Sequence, residues 1–241
     1  MNDSFQYKKG AVTFLDVLGW KGMWQQDTEA AKKLWSIVKA TRNKTREIVK
    51  EYVYADKYKD RFKEFRGKET QSLDKIVKTI SISDTIVLFS KNEAELVIEI
   101  HAKICAWLLE HALLQAIPLR GAISYGDYIQ HENIMQGPAV DEAASWYEFA
   151  DWIGVALTPS AHLKVEAKIR NKEIESITSY KDIPYKKKVH HLNSCVDWSF
   201  GTNTIEELKE VFLRKVPLTP DIAPKYLNTL EFFMRKQKQD T

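Results

Sequence analysis

Two aspartates at strand-like segments carry the clearest chemistry in this sequence. Asp16 follows the apolar run 11–15, and Asp84 lies between the alternating segment 78–83 and the apolar run 86–89. A carboxylate at the end of a buried strand is costly unless a cation pairs with it, and two neighbouring carboxylates also repel each other. A divalent metal removes both costs, because carboxylates, water and substrate phosphates are the usual ligands of Mg²⁺. The pair therefore predicts a site for a metal and a phosphorylated nucleotide.

The elements that must position these aspartates alternate between strands and helices. Apolar and alternating patterns predict strands at 11–17, 78–83, 86–89, 119–127 and 154–158, and a strand pair around 185–188. Helical spacing, a capping pattern at Asn92 and helix-starting prolines predict helices at 28–54, from Asn92 to Pro118, from Gly137 to Trp152, from Pro159, and two between Thr204 and Asp240. This order predicts an α/β (α+β) sandwich with a mixed or antiparallel sheet flanked by helices.

The same patterns divide the chain into two parts. We predict a catalytic domain at 1–200, with a long insert at about 28–74, and a C-terminal helical extension at 201–241. Within the insert, residues 55–74 are highly charged and are expected to form a loop or a flexible extension.

Composition limits the classes of function. The net charge of +3 gives no strong signature of nucleic-acid binding, and no apolar stretch is long enough to cross a bilayer. Cys105 and Cys195 lack metal-ligand spacing and are expected to be buried thiols in a reducing compartment. These features predict a soluble cytoplasmic protein without a membrane or nucleic-acid partner.

Four segments in order resemble the catalytic domain of the class III nucleotidyl cyclases. The resemblance rests on Phe14-Leu15-Asp16-Val17-Leu18-Gly19, on Lys78 to Asp84, on Arg120 to Gly126, and on the helix Gly137 to Ser145. It covers roughly residues 8–195 and implies a cyclase-like sheet and a cyclisation reaction on a nucleoside triphosphate.

The resemblance implies roles for the residues of the first three segments. Asp16 and Asp84, helped by the carbonyl group of Val17, would hold two Mn²⁺ or Mg²⁺ ions per site. Arg120 would contact the triphosphate. The turn after Val17 would offer backbone N–H groups to the phosphates near a helix start, from Leu18, Gly19, Trp20 and Lys21.

The remaining implied residues would read the base and support the ribose. Lys78 corresponds to the base-contacting lysine of the family. Asp141 replaces the helix asparagine that orients the ribose, and Ser145 replaces the helix arginine that steadies the phosphorus. Ile134 replaces the acidic residue that reads adenine, and an apolar side chain cannot accept that hydrogen bond.

These departures resemble the pyrimidine cyclases of bacterial Pycsar anti-phage systems. That resemblance implies conversion of UTP or CTP into cyclic UMP or cyclic CMP as an antiviral signal, which a separate cyclic-nucleotide-activated effector protein would sense. It also implies a homodimer with active sites at its interface. One chain would supply Asp16, Asp84 and Arg120. The other chain would supply the base-reading and ribose-supporting residues Lys78, Ile134, Asp141 and Ser145.

Two other functions stay open at this point. One is a purine cyclase with an atypical base pocket, and the other is a degenerate cyclase-homology domain that binds nucleotide or a partner without catalysis. Simpler structural roles also stay open: a helix cap for Asp16, a turn for Asp84, a solvated edge lysine for Lys78 and a plain ion pair for Arg120.

Overall fold

The computed structural model describes residues 7–20, 29–68, 70–91, 95–131, 134–198, 205–215 and 219–239. The predicted capping residue Asn92, the turn residue Lys21 and the predicted boundary at 201–203 lie outside these ranges.

The strands of the described part form one mixed sheet. Their bounds are β1 Tyr7–Val17, β2 Val77–Ile82, β3 Thr85–Ser90, β4 Leu119–His131, β5 Ile134–Gln136, β6 Gly154–Leu157, β7 Ile177–Ser179 and β8 Ser194–Val196. The order is β2-β3-β1-β4-β6-β8-β7, and β5 pairs with β4. Strands β4 and β6 are parallel, while β3, β1 and residues 119–129 of β4 form a long antiparallel centre.

Helices cover both faces of this sheet. Their bounds are α1 Ala30–Tyr54, α2 Leu96–Leu114, α3 Pro138–Phe149, α4 Pro159–Arg170, α5 Ile205–Lys215 and α6 Ala223–Gln239. The predicted α/β sandwich with a mixed sheet is therefore confirmed. None of these helices combines the length and the apolar character that crossing a lipid bilayer requires.

The two faces of the sheet are covered unequally. Because side chains alternate along a strand, Thr13 and Leu15 of β1 face one way and Phe14 and Asp16 face the other. The face with Leu15 packs against the apolar stripe of α1 and against α2 in the main core, which also buries both free cysteines. The face with Phe14 packs mainly against α3, in a smaller cluster around Ala139, Val140 and Ala143.

The prediction of a loop or flexible extension at 55–74 is wrong, because this segment contains short helices. Short 3-10 helices span Asp56–Tyr58, Lys63–Phe65 and Thr70–Lys75. The side chains of Phe62 and Leu73 are buried in the main core, so two apolar anchors fix a segment whose composition is mostly charged.

Two predicted boundaries also differ from the structure. Helix α3 ends at Phe149, so Trp152 lies beyond it and is buried in the connection to β6. The strand pair expected around 185–188 is formed instead by the flanking strands β7 and β8, and Tyr185 forms only an isolated bridge with Ala150.

The predicted helices at the C-terminus are present and pack against the main core. The hydroxyl group of Thr229 in α6 accepts a hydrogen bond from the backbone N–H of Ile153 at 2.9 Å. The ring of Phe232 packs edge-on against Trp152, with 5.0 Å between centroids. These contacts attach α6 to the segment that leads into β6.

Candidate active site

The β2–β3 hairpin brings the two predicted metal aspartates together. Asp16 lies one residue before the end of β1 and is paired across the sheet with Thr85. Asp84 precedes Thr85 in the turn between β2 and β3, where Ser83 adopts a φ of 56°. Asp84 therefore lies close enough to Asp16 for its charge to act on the carboxyl group of Asp16.

Arg120 completes this cluster from β4, where it is paired directly with Asp16. Its Nε and Nη2 atoms both lie 3.1 Å from Oδ2 of Asp16. Its Nη1 atom donates to the backbone carbonyl groups of Glu148 and Ala150, each at 3.2 Å. The guanidinium group thus joins β1, β4 and the end of α3 and fixes the position of the Asp16 carboxylate.

A glycine next to Arg120 lets the two strands approach closely. A Cβ atom on Gly121 would lie 2.5 Å from the backbone carbonyl oxygen of Phe14, which is shorter than real contacts of this kind. Any side chain here would separate β1 from β4 beside the Asp16–Arg120 pair. The tight register of the site therefore depends on glycine at this position.

The electrostatics of Asp16 indicate an excess of negative charge. Burial is the main cause that raises the pKa of Asp16, and Arg120 opposes it. The charges of Asp84 and Glu148 then raise the pKa further, so that the net shift is upward. Because one arginine does not offset burial and two carboxylates, a further cation would stabilise the ionised site.

The donor set fits a hard divalent ion. Asp16 and Asp84 offer carboxylate oxygens at one sheet end, and the main chain of Val17 follows Asp16 directly. Oxygen donors of this kind suit Mg²⁺ or Mn²⁺, which keep several ligand positions for water and phosphate. No group of three or more His, Cys, Asp or Glu side chains suited to a metal occurs in the described ranges. The protein would therefore supply two carboxylates, and substrate and water the other ligands.

The turn after β1 differs from its expected role. The backbone N–H of Leu18 donates to the carbonyl oxygen of Pro118 at 2.9 Å, which continues the β1–β4 pairing by one bond. That N–H group is thus paired within the sheet, and the phosphate-contacting role of Leu18 stays a prediction. Gly19 adopts a φ of 76°, and a Cβ atom there would lie 2.7 Å from Cδ1 of Ile222. The phosphate-contacting roles of Gly19 and Trp20 stay predictions.

The other predicted site residues lie apart from this cluster. Lys78 is exposed on the edge strand β2, opposite Phe89, four residues along the register from the Asp16 level. Asp141 and Ser145 lie on the exposed side of α3, where Oγ of Ser145 donates to the carbonyl oxygen of Asp141 at 2.8 Å. The side chain of Ile134 is 51% exposed at the start of β5. Among the described residues, none of these four forms a hydrogen bond or an ion pair with Asp16.

Sequence reasoning did not identify Tyr147 as part of the site. Its ring stacks on Phe14 at 5.9 Å between centroids and lies 5.9 Å from the guanidinium carbon of Arg120. Burial, followed by the charge of Asp16, raises the pKa of Tyr147 to about 12. Tyr147 follows the buried Ala143 by four residues, so helical spacing was the available signal for its sheet-facing position.

Comparisons with known proteins give structural similarities alone. No protein-family model matches the sequence, and no curated protein sequence matches it. The chain is similar to the adenylyl cyclase CyaB from P. aeruginosa, with 14% identity, a TM-score of 0.47, and coverage of 83% of this chain and 100% of that chain. It is similar to an adenylate/guanylate cyclase/hydrolase from Silicibacter pomeroyi, with 10% identity, a TM-score of 0.45, and coverage of 81% and 99%.

A bacterial light-regulated adenylyl cyclase is a third structural relative. It shares 15% identity with this chain, with a TM-score of 0.44 and coverage of 96% of this chain and 98% of that chain. Similarities with TM-scores below 0.5 do not establish an activity for this protein.

Proposed function

We propose that this protein is a metal-dependent nucleotide cyclase that converts UTP or CTP into the 3′,5′-cyclic pyrimidine nucleotide and pyrophosphate. The observation that carries the proposal is the meeting of Asp16, Asp84 and Arg120 at one sheet end. The three residues occur in the order and in the segments in which the class III cyclase resemblance requires them. A structural ion pair would need only one carboxylate, so the second carboxylate favours a cation-binding role.

In the proposed reaction, the ribose 3′-hydroxyl group loses its proton to solvent, and its oxygen forms a bond to the α-phosphorus while the bond from that phosphorus to the bridging oxygen of pyrophosphate breaks. Asp16 and Asp84 would hold two Mg²⁺ or Mn²⁺ ions. When bound, these ions lower the pKa of the 3′-hydroxyl group and stabilise the charge on the leaving phosphates. Arg120 keeps the Asp16 carboxylate in position and adds positive charge beside the phosphates.

The surroundings of the base support a pyrimidine substrate. Ile134 has no hydrogen-bonding group to accept from an adenine amino group. The loss of such a hydrogen-bond acceptor weakens the selectivity for adenine over other bases by orders of magnitude. Four predicted substrate-contacting side chains are exposed: Ile134, Lys78, Asp141 and Ser145. Such exposure suits residues that act on a substrate held by another protomer.

The proposal includes a homodimer with active sites at its interface. Ile82 is 57% exposed beside Asp84, on the sheet face that carries Asp16, and Ile134 is exposed at β5. An apolar face that is partly uncovered next to the metal carboxylates supports a contact with a second copy. The antiviral role and a separate effector protein that binds the cyclic product rest on the Pycsar resemblance.

One observation favours a catalytically inactive nucleotide-binding domain as a second candidate. The hydroxyl group of Ser145, which replaces the helix arginine of the family, is occupied by the Asp141 carbonyl oxygen in its own helix. Without another cation at the phosphorus, nucleotide and metal would bind and no product would form. A purine cyclase with an unusual pocket is the remaining alternative, and product identity distinguishes it.

The experiment is incubation of the protein with each of the four nucleoside triphosphates and Mn²⁺, followed by chromatographic separation of the products. Cyclic UMP or cyclic CMP is the expected product. Cyclic AMP or cyclic GMP would replace the pyrimidine assignment by the purine one. Bound nucleotide without any product would support the inactive domain and contradict the proposal.

A further inference from the structure

A cavity of about 290 Å³ opens at the free edge of the sheet, between α1, the short helix Thr70–Lys75 and β2. It lies near the start of β2, whereas Asp84 follows the end of that strand. A span of four strand residues is about 13 Å, so the cavity is separate from the carboxylate pair. The proposed cyclase reaction gives a role to Lys78 among the lining residues, but none to Arg42, Thr45 or Arg46 on the α1 side.

The charged residues that line the cavity are mainly basic. Arg42, Arg46 and Lys78 contribute positive charge, and Asp74 is the acidic residue among the lining side chains. Arg46 is bound to Asp74 by a fork of two hydrogen bonds, from Nε at 2.7 Å and from Nη2 at 2.6 Å. Within the described ranges, no carboxylate forms an ion pair with Arg42 or Lys78. Among the described residues, Arg42 and Lys78 are therefore two lining cations without a counter-ion.

Two hydroxyl groups of the lining residues also lack partners. Thr45 is 3% exposed, and neither its Oγ1 atom nor that of Thr79 has a hydrogen-bond partner among the described residues. One turn earlier in α1, Oγ1 of Thr41 donates to the carbonyl oxygen of Ile37 at 2.7 Å, the usual solution for a helical threonine. Buried hydroxyl groups are rarely left unpaired, so Thr45 points to a missing acceptor.

From this combination we propose that the cavity binds a phosphate group carried by a small anion. Phosphate oxygens accept hydrogen bonds from arginine, lysine and hydroxyl donors, which are the groups that lack partners here. Arg46, fixed by Asp74, has its guanidinium plane already oriented beside the cavity. Thr45 is too deeply buried to touch the backbone of a long nucleic acid, which favours a compact anion.

The cavity collects side chains from both faces of the sheet. Lys78 is paired with Phe89 and lies on the face of Asp16, while Thr79 is paired with Leu88 and faces α1. A phosphate bound between α1 and β2 would hold the strand that leads directly to Asp84. The site is thus placed to sense an anion and to act on the hairpin.

The test measures thermal unfolding of the full chain with inorganic phosphate, against chloride at equal ionic strength. Phosphate at ten times its dissociation constant is expected to raise the melting temperature by about 4 °C. Thr45→Val should weaken phosphate binding by about tenfold, because it removes a buried donor of nearly the same shape. Thr41→Val is the matched control, since its hydroxyl group is already paired, and should retain the wild-type affinity.

Further variants separate this site from the carboxylate pair. Arg42→Gln should also weaken phosphate binding, while Asp84→Ala should retain the full phosphate-dependent shift whether or not the protein is a cyclase. An equal shift in wild type and in Thr45→Val would overturn the proposal, as would a shift lost in Asp84→Ala. Stabilisation by a single-stranded oligonucleotide but not by inorganic phosphate would also overturn it.

Discussion

Two polar pairs on β1 lie on opposite faces of the same strand and behave differently. Thr13 and His101 are fully buried, and Oγ1 of Thr13 lies 2.7 Å from Nδ1 of His101. Asp16 and Arg120 keep side-chain exposures of 16% and 14%, and Asp84 lies nearby. The first pair is closed to solvent and serves the packing of α2, whereas the second has access to solvent and excess negative charge.

The difference shows that one face of β1 contributes to stability and the other face to the proposed chemistry. Burial lowers the pKa of His101 to about 3, so the imidazole stays neutral within the core. Burial also raises the pKa of Asp16, but Arg120 and the access to solvent keep an ionised form within reach of a cation.

Asp84→Asn, beside the Asp16–Arg120 pair, should cause the largest loss of activity. The substitution keeps the shape of the side chain but removes a charge that the proposed metal requires, so product formation should fall about a thousandfold. Asp127→Asn, which removes an exposed carboxylate elsewhere on the same sheet, is the control and should retain activity. Comparable activity in Asp84→Asn and wild type would refute the metal assignment.

Arg120→Lys should lower product formation by about 10–100-fold while leaving the protein folded. Lysine cannot reproduce the planar fork that binds Asp16 and two backbone carbonyl groups together. Steady-state kinetics should show the loss mainly in kcat, because the misplaced Asp16 carboxylate affects the reacting centre. Arg235→Lys changes an arginine of an exposed ion-pair network on α6 and serves as the control. Equal losses in both variants would argue against a positioning role.

His101→Leu, which breaks the buried Thr13–His101 pair, should lower the free energy of unfolding without changing product formation. The hydroxyl group of Thr13 would lose its partner in the core, at a cost of about 1–3 kcal/mol in the free energy of unfolding. The double variant Thr13→Val with His101→Leu removes both polar groups and should recover much of this loss. Urea unfolding at neutral pH measures both values. A double variant less stable than the sum of the two single changes would contradict this view of the pair.

The two pairs should also respond to pH with opposite signs. The pKa of His101 is lower in the folded state than its ordinary value of 6.5, so its contribution to stability falls progressively as pH drops from 6.5 towards 3. The limiting slope is about 1.4 kcal/mol per pH unit. The pKa of Asp16 is raised above 3.8, so its contribution is full below 3.8 and is lost as pH rises through the folded value.

Urea unfolding across the acidic range tests these signs. His101→Leu should show a shallower loss of stability below pH 6.5 than wild type. Asp16→Asn should lack the loss that accompanies ionisation of Asp16, and its difference from wild type should be confined to the range above pH 3.8. Parallel pH profiles for wild type and both variants would show that neither group titrates as described.

The proximity of Asp16 and Asp84 could be predicted from the sequence because it follows from the positions at which strands end. Asp16 closes an apolar strand and Asp84 occupies a short turn, so adjacent pairing of the two strands was sufficient to bring them together. The apolar stripe of α1 and the proline-started helices α3 and α4 were predictable for similar reasons, since their signals are local in sequence.

Other features depend on contacts between distant segments and leave no local signal. The arginine fork of Arg120 uses carbonyl groups at the end of α3, whose position is set by packing. The bond from Leu18 to Pro118 uses an N–H group that the sequence suggested for phosphate. The unpaired hydroxyl group of Thr45 occupies an apolar-looking position of a helix, where sequence alone indicates only burial.

The most direct test of the central claim is a mass balance on UTP and CTP in the presence of Mn²⁺, with wild type and Asp84→Asn in parallel. The proposed reaction releases one pyrophosphate for each cyclic nucleotide, and the nucleotide product contains no added water. We expect equal amounts of cyclic product and pyrophosphate from the wild type and neither from Asp84→Asn. Release of linear nucleoside monophosphate, or cyclic product from Asp84→Asn at the wild-type rate, would contradict a cyclising metal site at Asp16 and Asp84.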